Sequence, residues 1–234
     1  MPKDNKKKNR GKRKYTRKIG RPGKALKPAN PYLFKRTVAE TLILSNADPP
    51  AGWTSTVNNL GRAFGWTLSA IHDYDDFTNL FKFYRLKGAR VKMYASNTSS
   101  SFGSGRTTDE SPNGQIIATI DLNQDGNSSL VATESHYLDS QTAKRRLMLR
   151  NDGRPSLDIY MPLKQLTEVR NVAGGTATAM TKPKFVGTNN AFLPHYGYNI
   201  MLQRIDGNGF SSNVGNNQII KMYTTLYFEC KKVE

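Results

Sequence analysis

Apolar and polar residues alternate most regularly near the C-terminal end of the sequence, over residues 218–231. Ile220, Met222, Leu226 and Phe228 would point to one side of a strand, and most of the residues between them to the other. A period of two is typical of a strand that buries one face. Similar patterns predict strands at residues 31–44, 84–94, 114–122, 144–150, 157–161 and 197–205, with a shorter extended piece at 62–70.

Two of these strands carry specific expectations about burial. In the first, Val38 is expected to face the core together with the other even-numbered apolar residues. In the strand at 144–150, the alternation predicts that Leu147 and Leu149 point inward and that Met148 points outward. These assignments follow from the alternation alone, because successive side chains of a strand lie on opposite faces.

One helix is predicted, over residues 73–84. Asp73 is expected to be its N-cap, and apolar residues follow at i, i+3, i+4 and i+7 from Phe77. The helix is expected to close one end of the fold. The strand at 84–94 follows at once, and its apolar phase changes midway, which predicts a β-bulge at Gly88–Ala89.

Long segments rich in Ser, Thr, Gly and Pro separate the predicted strands. They cover residues 45–59, 95–113 and 162–190, the last with a short strand expected at 184–186. Seven or eight strands with long connections and almost no helix are typical of a Greek-key sandwich. The pattern therefore predicts an all-β fold, a single eight-stranded jelly roll over residues 31–234.

The first 28 residues change this picture, because they hold thirteen Lys and Arg against the single acid Asp4. Their net charge is +12, out of +17 for the whole chain. Gly and Pro interrupt the run, so a flexible basic arm is predicted over residues 1–30, binding nucleic-acid phosphates and acting as a nuclear import signal. Its candidate contacts are Lys3, Lys6, Lys7, Lys8, Arg10, Lys12, Arg13, Lys14, Arg17, Lys18, Arg21, Lys24 and Lys27.

Further cations lie on the predicted outward faces of strands. These are candidates for additional nucleic-acid contacts, on the inner face of the subunit if it forms part of a closed assembly. The alternative is that they form an ordinary solvated surface. The residues are Arg85, Lys87, Arg90, Lys92, Arg146 and Arg150. Trp53, Trp66 and Tyr74 lie in or near loops, and the sequence leaves open whether they are buried there or anchor an interface.

No catalytic constellation is visible. The single Cys230 has no disulfide partner, and His72, His136 and His195 show no spacing typical of a metal site or a catalytic triad. No stretch approaches the 18 apolar residues of a membrane span. We therefore expect neither an enzyme nor a membrane protein, with no catalytic residue, no cofactor and no metal site.

One segment partly matches a calcium-binding loop. Asp121, Asn123 and Asp125-Gly126 occupy the first positions of an EF-hand loop, but its twelfth position, which needs a bidentate carboxylate, is Ala132. We interpret the segment as a strand end followed by a tight turn, with a weak cation site at a subunit contact as the lesser alternative.

The order of motifs resembles the capsid proteins of circoviruses and their relatives, which are small viruses with circular single-stranded DNA. The matching segments are FKRTVAETLIL after a basic arm, FKFYRLKGARVKMY after a short helix, Ile120–Leu122, and the aromatic strand Tyr223–Phe228. The resemblance implies a jelly-roll subunit that self-assembles into an icosahedral T=1 shell of sixty copies around single-stranded DNA. The arm departs from that family in using more Lys than Arg.

The resemblance also implies location and partners: the virion, the host nucleus during assembly, nuclear import receptors and further copies of the chain. Sixty arms would supply roughly 780 cations, fewer than the phosphates of a genome of about one to two kilobases, so body residues are expected to contribute. A coat protein of a small or satellite RNA virus is the main alternative. A cellular basic nucleic-acid-binding protein is a further one.

Overall fold

The computed structural model describes residues 30–96, 116–123, 137, 140–148, 154–170, 176–210 and 218–232. The chain divides into two units, Met1–Asn30 and Pro31–Glu234, and only Asn30 of the first is described. The described part of the second unit includes the helix α1 (Tyr74–Leu80), a single helical residue at Tyr137, and short 3₁₀ turns at Leu68–Ala70 and Thr188–Asn190. Its strands are β1 (Tyr32–Leu44), β2 (Thr54–Ser55), β3 (Asn59–Trp66), β4 (Phe83–Ser96), β5 (Ile116–Leu122), β6 (Lys144–Met148), β7 (Leu157–Pro162), β8 (Lys164–Arg170), β9 (Thr176–Thr181), β10 (Val186–Gly187), β11 (His195–Arg204) and β12 (Gln218–Lys231).

Eight of these strands form two four-stranded antiparallel arrays. The first sheet has the order β1-β12-β4-β7, with β10 also paired to β4. The second has the order β3-β11-β5-β6, extended by β2 and by the β8–β9 hairpin. Neighbours in each sheet come from distant parts of the chain, as expected when successive strands cross between the sheets of a jelly roll. The predicted fold class is confirmed.

The core lies between the inner faces of the two sheets. Leu60, Phe64, Val91, Ile200 and Met222 are fully or almost fully buried there. Removing such side chains from water is the main favourable contribution to folding. The alternation over β12 predicted its buried face correctly, and the strand itself spans the predicted residues 218–231.

A second buried cluster lies under α1, at the end of the first sheet where β1 and β4 begin. The ring of Phe77 is 5.1 Å from that of Phe34 and 5.0 Å from that of Phe228. Tyr84 and Cys230 are also fully buried in this cluster. The helix therefore closes one end of the core, as predicted.

The helix is shorter than predicted. It ends at Leu80, because Phe81 already has an extended backbone and the chain enters β4 at Phe83 to pair with β12. Leu80, expected on the buried face, is exposed. Asp73 occupies the predicted N-cap position, but it has a left-handed conformation and its side chain makes no capping hydrogen bond.

The predicted bulge in β4 exists, but one residue earlier than expected. Tyr227 lies opposite Gly88 and Phe228 lies opposite Leu86, so that Lys87 is the extra residue. The bulge returns Leu86 to the buried face that Val91 also occupies. A single inserted residue thus reconciles the two apolar phases.

Two burial predictions were wrong. Met148 is buried and Leu147 is 40% exposed, because β6 pairs with β5 so that Met148 lies opposite the buried Ile116. Val38 is 49% exposed, since β1 is an edge strand and its middle lies outside the buried core. In both cases pairing and position in the sheet, rather than alternation, decide which side is covered.

The segment 162–190 is not the long loop that was predicted, since it contains the β8–β9 hairpin. The short strand expected at 184–186 is present as β10, shifted to Val186–Gly187. The threonines and alanines of β9 give little hydrophobic contrast, and the apolar residues of β8, Leu166 and Val169, fall in opposite phases, so neither strand shows an alternation. The predicted polar segment after β4 and the turn after Asn123 lie outside the described residues. None of the helices in the described ranges is long and apolar enough to cross a membrane.

Candidate nucleic-acid interface

The outward side of the first sheet carries most of the cations found on its strands. On β1, β12, β4 and β7, the residues that alternate with the buried ones lie on this side, and we call it the basic face. Seven cations and two carboxylates lie there, a net charge of +5, together with four tyrosines. The charged residues are Lys35, Arg85, Lys87, Arg90, Lys92, Lys221, Lys231, Asp158 and Glu229, and the tyrosines are Tyr94, Tyr160, Tyr223 and Tyr227.

The bulge brings two cations to one carboxylate. Because Lys87 is the extra residue, both Arg85 and Lys87 reach Glu229 on β12. Lys87 Nζ lies 3.0 Å from Glu229 Oε1, and Arg85 donates from Nε to Oε2 at 3.1 Å and from Nη2 as well. Burial raises the pKa of Glu229, but the hydrogen bonds and charges of Lys87 and Arg85 lower it further than burial raises it.

A second ion pair joins β4 to β7. Arg90 donates from Nε and Nη2 to the two carboxylate oxygens of Asp158, each at 2.7 Å. The hydrogen bond from Arg90 holds the pKa of Asp158 below its ordinary value. This bidentate geometry fixes the guanidinium in place.

Four cations of the basic face have no carboxylate at ion-pair distance within the described ranges. Lys35, Lys92 and Lys231 are of this kind, and Lys221 donates instead to Thr41 Oγ1 at 2.8 Å. Such lysines keep their charge available for a polyanion. Four of the seven cations of the face are therefore uncompensated.

Tyrosine rings lie between the cations. The ring of Tyr94 is 5.8 Å from that of Tyr223, and the ring of Tyr160 is 6.1 Å from that of Tyr227. Tyr160 crosses directly over Gly88, where a Cβ would lie 2.3 Å from the phenol oxygen. Exposed aromatic rings among cations are a common feature of surfaces that bind single-stranded nucleic acid, because bases stack on the rings.

An aromatic residue extends the face beyond the sheet. Phe185 lies just before β10, with the guanidinium of Arg85 4.6 Å from its ring centre and Lys231 Nζ 3.9 Å from it. Nothing in the sequence pattern pointed to Phe185. Alternation along their strands could have identified Tyr160 and Lys221.

The structure brings together four of the six predicted body cations. Arg85, Lys87, Arg90 and Lys92 share the basic face. Arg146 lies instead on β6 of the second sheet, although its charge also lowers the pKa of Asp158. Arg150 and the thirteen arm cations lie outside the described residues.

The histidines and the cysteine are not arranged for catalysis in the described part of the chain. His195 is buried with Nδ1 3.1 Å from the Leu193 carbonyl oxygen, and burial lowers its pKa to about 4. His72 is exposed and pairs only with Asp73. Burial raises the pKa of Cys230 to about 12, which keeps the thiol protonated. His136 lies outside the described residues.

The remaining candidates from the sequence are the aromatic residues near loops and the partial calcium-binding loop, and the structure describes part of each. Trp53 is buried against Phe64, so it belongs to the core, whereas Trp66 and Tyr74 are only partly buried. Asp121 accepts hydrogen bonds from Thr142 Oγ1 and from the Leu122 amide. No group of three or more His, Cys, Asp or Glu that could hold a metal occurs in the described ranges.

Comparison with known proteins finds similarity in structure but not in sequence. No protein-family model and no curated protein matches the chain. The decameric capsid protein of BFDV (beak and feather disease virus, a circovirus) is 14% identical, with 87% of this chain and 100% of that chain covered and a TM-score of 0.51. The predicted resemblance to circovirus capsid proteins is thus confirmed at the level of the fold.

Two further solved structures have lower TM-scores, and we base no argument on them. The 60-mer of the BFDV capsid protein is 12% identical, covering 87% of this chain and 94% of that chain, with a TM-score of 0.49. Turnip yellow mosaic virus is 8% identical, covering 88% and 97%, with a TM-score of 0.38.

Proposed function

We propose that the chain is a viral capsid subunit that assembles into a closed shell and packages single-stranded nucleic acid. The observation that carries this proposal is the basic face, in which uncompensated lysines lie among exposed and half-buried tyrosines on one side of a jelly roll. A protein that only forms a shell has no need of such a surface. The fold shared with a capsid protein that forms a decamer supports the same conclusion.

Two basic regions would divide the work of packaging. The arm over residues 1–30 supplies thirteen cations and neutralises phosphates without reading sequence. The basic face supplies a rigid surface on which bases stack and phosphates pair. In an icosahedral T=1 shell of sixty copies this face would line the interior, and the arm would also act as the nuclear import signal.

Electron microscopy of the purified full chain tests assembly. We expect uniform shells of about 20 nm, the size for sixty subunits of roughly 200 ordered residues each at ordinary protein density. Nucleic acid extracted from the particles should be digested by DNase and single-strand nuclease. Digestion by RNase alone would instead favour a coat protein of a small RNA virus. A monodisperse monomer that binds duplex and single-stranded nucleic acid equally well would favour a cellular nucleic-acid-binding protein.

Deletion of residues 2–28 tests the arm. The remaining chain should fold, as shown by an unchanged circular-dichroism spectrum, but assemble poorly or into particles without nucleic acid. Packaging of normal amounts of nucleic acid by this deletion variant would contradict the role of the arm.

Replacement of Lys35, Lys92 and Lys221 together by Gln tests the basic face. Each lost phosphate contact removes about 0.7 from the slope of log affinity against log salt, so the slope for single-stranded DNA should fall by about two. A matched variant replaces Lys144, Arg145 and Lys182, which lie on β6 and after β9, and loses the same charge. Equal slopes in the two variants would exclude the basic face as the binding surface.

A further inference from the structure

The strand β1 forms one edge of the first sheet and presents an unusual amount of apolar surface there. Among the described residues it pairs only with β12 along its 13 residues. Leu33 is 64% exposed, Tyr32 53%, Ile43 51% and Val38 49%. A long apolar edge with unpaired backbone groups is a ready site for pairing with another strand.

A groove runs beside the second half of this edge. It has a volume of about 760 Å³ and follows β1 over Glu40–Ile43. The opposite wall is formed by the turn that contains Pro49, Pro50 and Ala51. The groove is thus open to an extended segment that carries apolar side chains.

The sequence of β1 is complementary to itself in an antiparallel register centred on Val38. In that register Leu33 of one copy lies opposite Ile43 of the other, and Arg36 lies opposite Glu40. The two copies of Val38 face each other at the centre. The apolar residues at the start of one strand would then run along the groove beside the end of the other.

Neighbouring registers fit less well. A twofold axis perpendicular to the sheet keeps the hydrophobic cores of the two subunits on the same side of the joined sheet. Residues that lie opposite each other across the two β1 strands must therefore both point toward the core side or both point away from it. Centring on Thr37 sets Phe34 against Glu40, and centring on Ala39 sets Val38 against Glu40. Only the register centred on Val38 matches apolar residues with apolar residues and the cation with the carboxylate.

The charges also permit this pairing. Glu40 already accepts a hydrogen bond from Arg62 of its own chain at 2.9 Å through Oε2, and its Oε1 can take a second donor. Arg36 is exposed and forms no ion pair with the described residues of its own chain. Two symmetric Arg36–Glu40 pairs would therefore form across the axis.

We propose that β1 pairs with β1 of a second copy about a twofold axis at Val38, joining the first sheets of two subunits into one continuous sheet. This contact is isologous and closes at two copies. It does not depend on nucleic-acid binding, and an icosahedral shell contains twofold axes at which such a dimer could lie.

Disulfide trapping with the full chain tests the register. Directly opposed residues of antiparallel strands have Cα atoms about 4.5–5.5 Å apart, within the range of about 4.4–6.8 Å for a disulfide. Val38→Cys should therefore cross-link on mild oxidation, in nuclease-treated protein at about 1 M salt, where charge interactions are strongly screened. Two controls are Val57→Cys, which is more exposed but lies off the strand, and Thr37→Cys, whose copies would lie diagonally about 7–8 Å apart.

We expect the Val38→Cys dimer to form at least tenfold faster than either control dimer, with the disulfide located by peptide mass spectrometry. Equal rates for Val38→Cys and Val57→Cys would overturn the proposal. Cross-linking that appears only after deletion of residues 2–28 would also overturn the proposal, because it would mean that the arm occupies the edge of β1 in the full chain. Without oxidation, Val38→Lys should raise the dimer dissociation constant at least tenfold by sedimentation, and Val57→Lys should leave it unchanged.

Discussion

The two sheets of the jelly roll have outer faces of opposite character. On the first sheet, the basic face combines seven cations with four tyrosines, of which Tyr160 and Tyr223 are exposed. On the second, the outward residues Thr119, Asp121, Asn199 and Met201 are buried, and Tyr137 packs against Met201. Both faces arise from the same alternation along antiparallel strands.

The difference shows that an outward position on a strand is not necessarily a solvated one. Burial and the nearby charge of Asp121 raise the pKa of the Tyr137 phenol. On the basic face no described segment covers Tyr160 or Lys221, and both remain exposed. The outer face of the second sheet is therefore buried over β5 and β11, whereas the basic face is open to a partner.

The largest effect expected from this comparison is on folding stability. Tyr137→Ala removes a side chain that is only 2% exposed and should lower the free energy of unfolding by about 4 kcal/mol. Tyr160→Ala removes the same atoms from the basic face and should cost under about 1 kcal/mol, while weakening binding to single-stranded DNA through lost stacking. Chemical denaturation and filter binding measure both effects. Similar losses of stability in the two variants would remove the distinction between the faces.

Acid should affect the two sheets in different pH ranges. His195, on β11 of the second sheet, has a pKa of about 4 in the folded chain, below the ordinary histidine value of about 6.5. The unfolded chain therefore binds a proton between these values and the folded chain does not, so stability falls by about 3 kcal/mol as the pH drops through that window.

His195→Gln should lack most of this loss of stability, as measured by denaturation at several pH values. An unchanged pH profile in His195→Gln would show that a group other than His195 titrates between pH 4 and pH 6.5.

The carboxylates of the basic face behave differently, since the pKa values of Asp158 and Glu229 are lowered. Their stabilisation is present above the ordinary carboxyl pKa of about 4 and is lost only as the pH falls below it.

The smallest effects are expected within the basic face itself. Glu229→Gln removes the carboxylate that holds Arg85 and Lys87, and should lower the free energy of unfolding by about 1–2 kcal/mol. Asp158→Asn breaks a more exposed pair and should cost less. Both variants raise the charge of the face by one and should tighten binding to single-stranded DNA at low salt. Weaker binding in both would mean that the ion pairs orient the cations for the ligand.

The strands were predictable where one face is apolar and the other polar. Alternation identified β12 to the residue and placed Arg85, Arg90 and Lys92 on one side of β4. It failed for the β8–β9 hairpin, because the threonines and alanines of β9 differ too little in hydrophobicity to show a phase and Leu166 and Val169 of β8 fall in opposite phases. It also failed for Met148, because the register with β5 decides which side of a short edge strand meets the core.

The sequence by itself determined the all-β class, the buried phase of β12 and the concentration of positive charge in the first 28 residues. These follow from local alternation and from charge, which need no knowledge of distant neighbours. Only the tertiary structure decided which outer face is covered, that Lys87 and Arg85 share Glu229, and that Phe185 joins the basic face. Those contacts link residues far apart in the chain, and strand pairing alone brings them together.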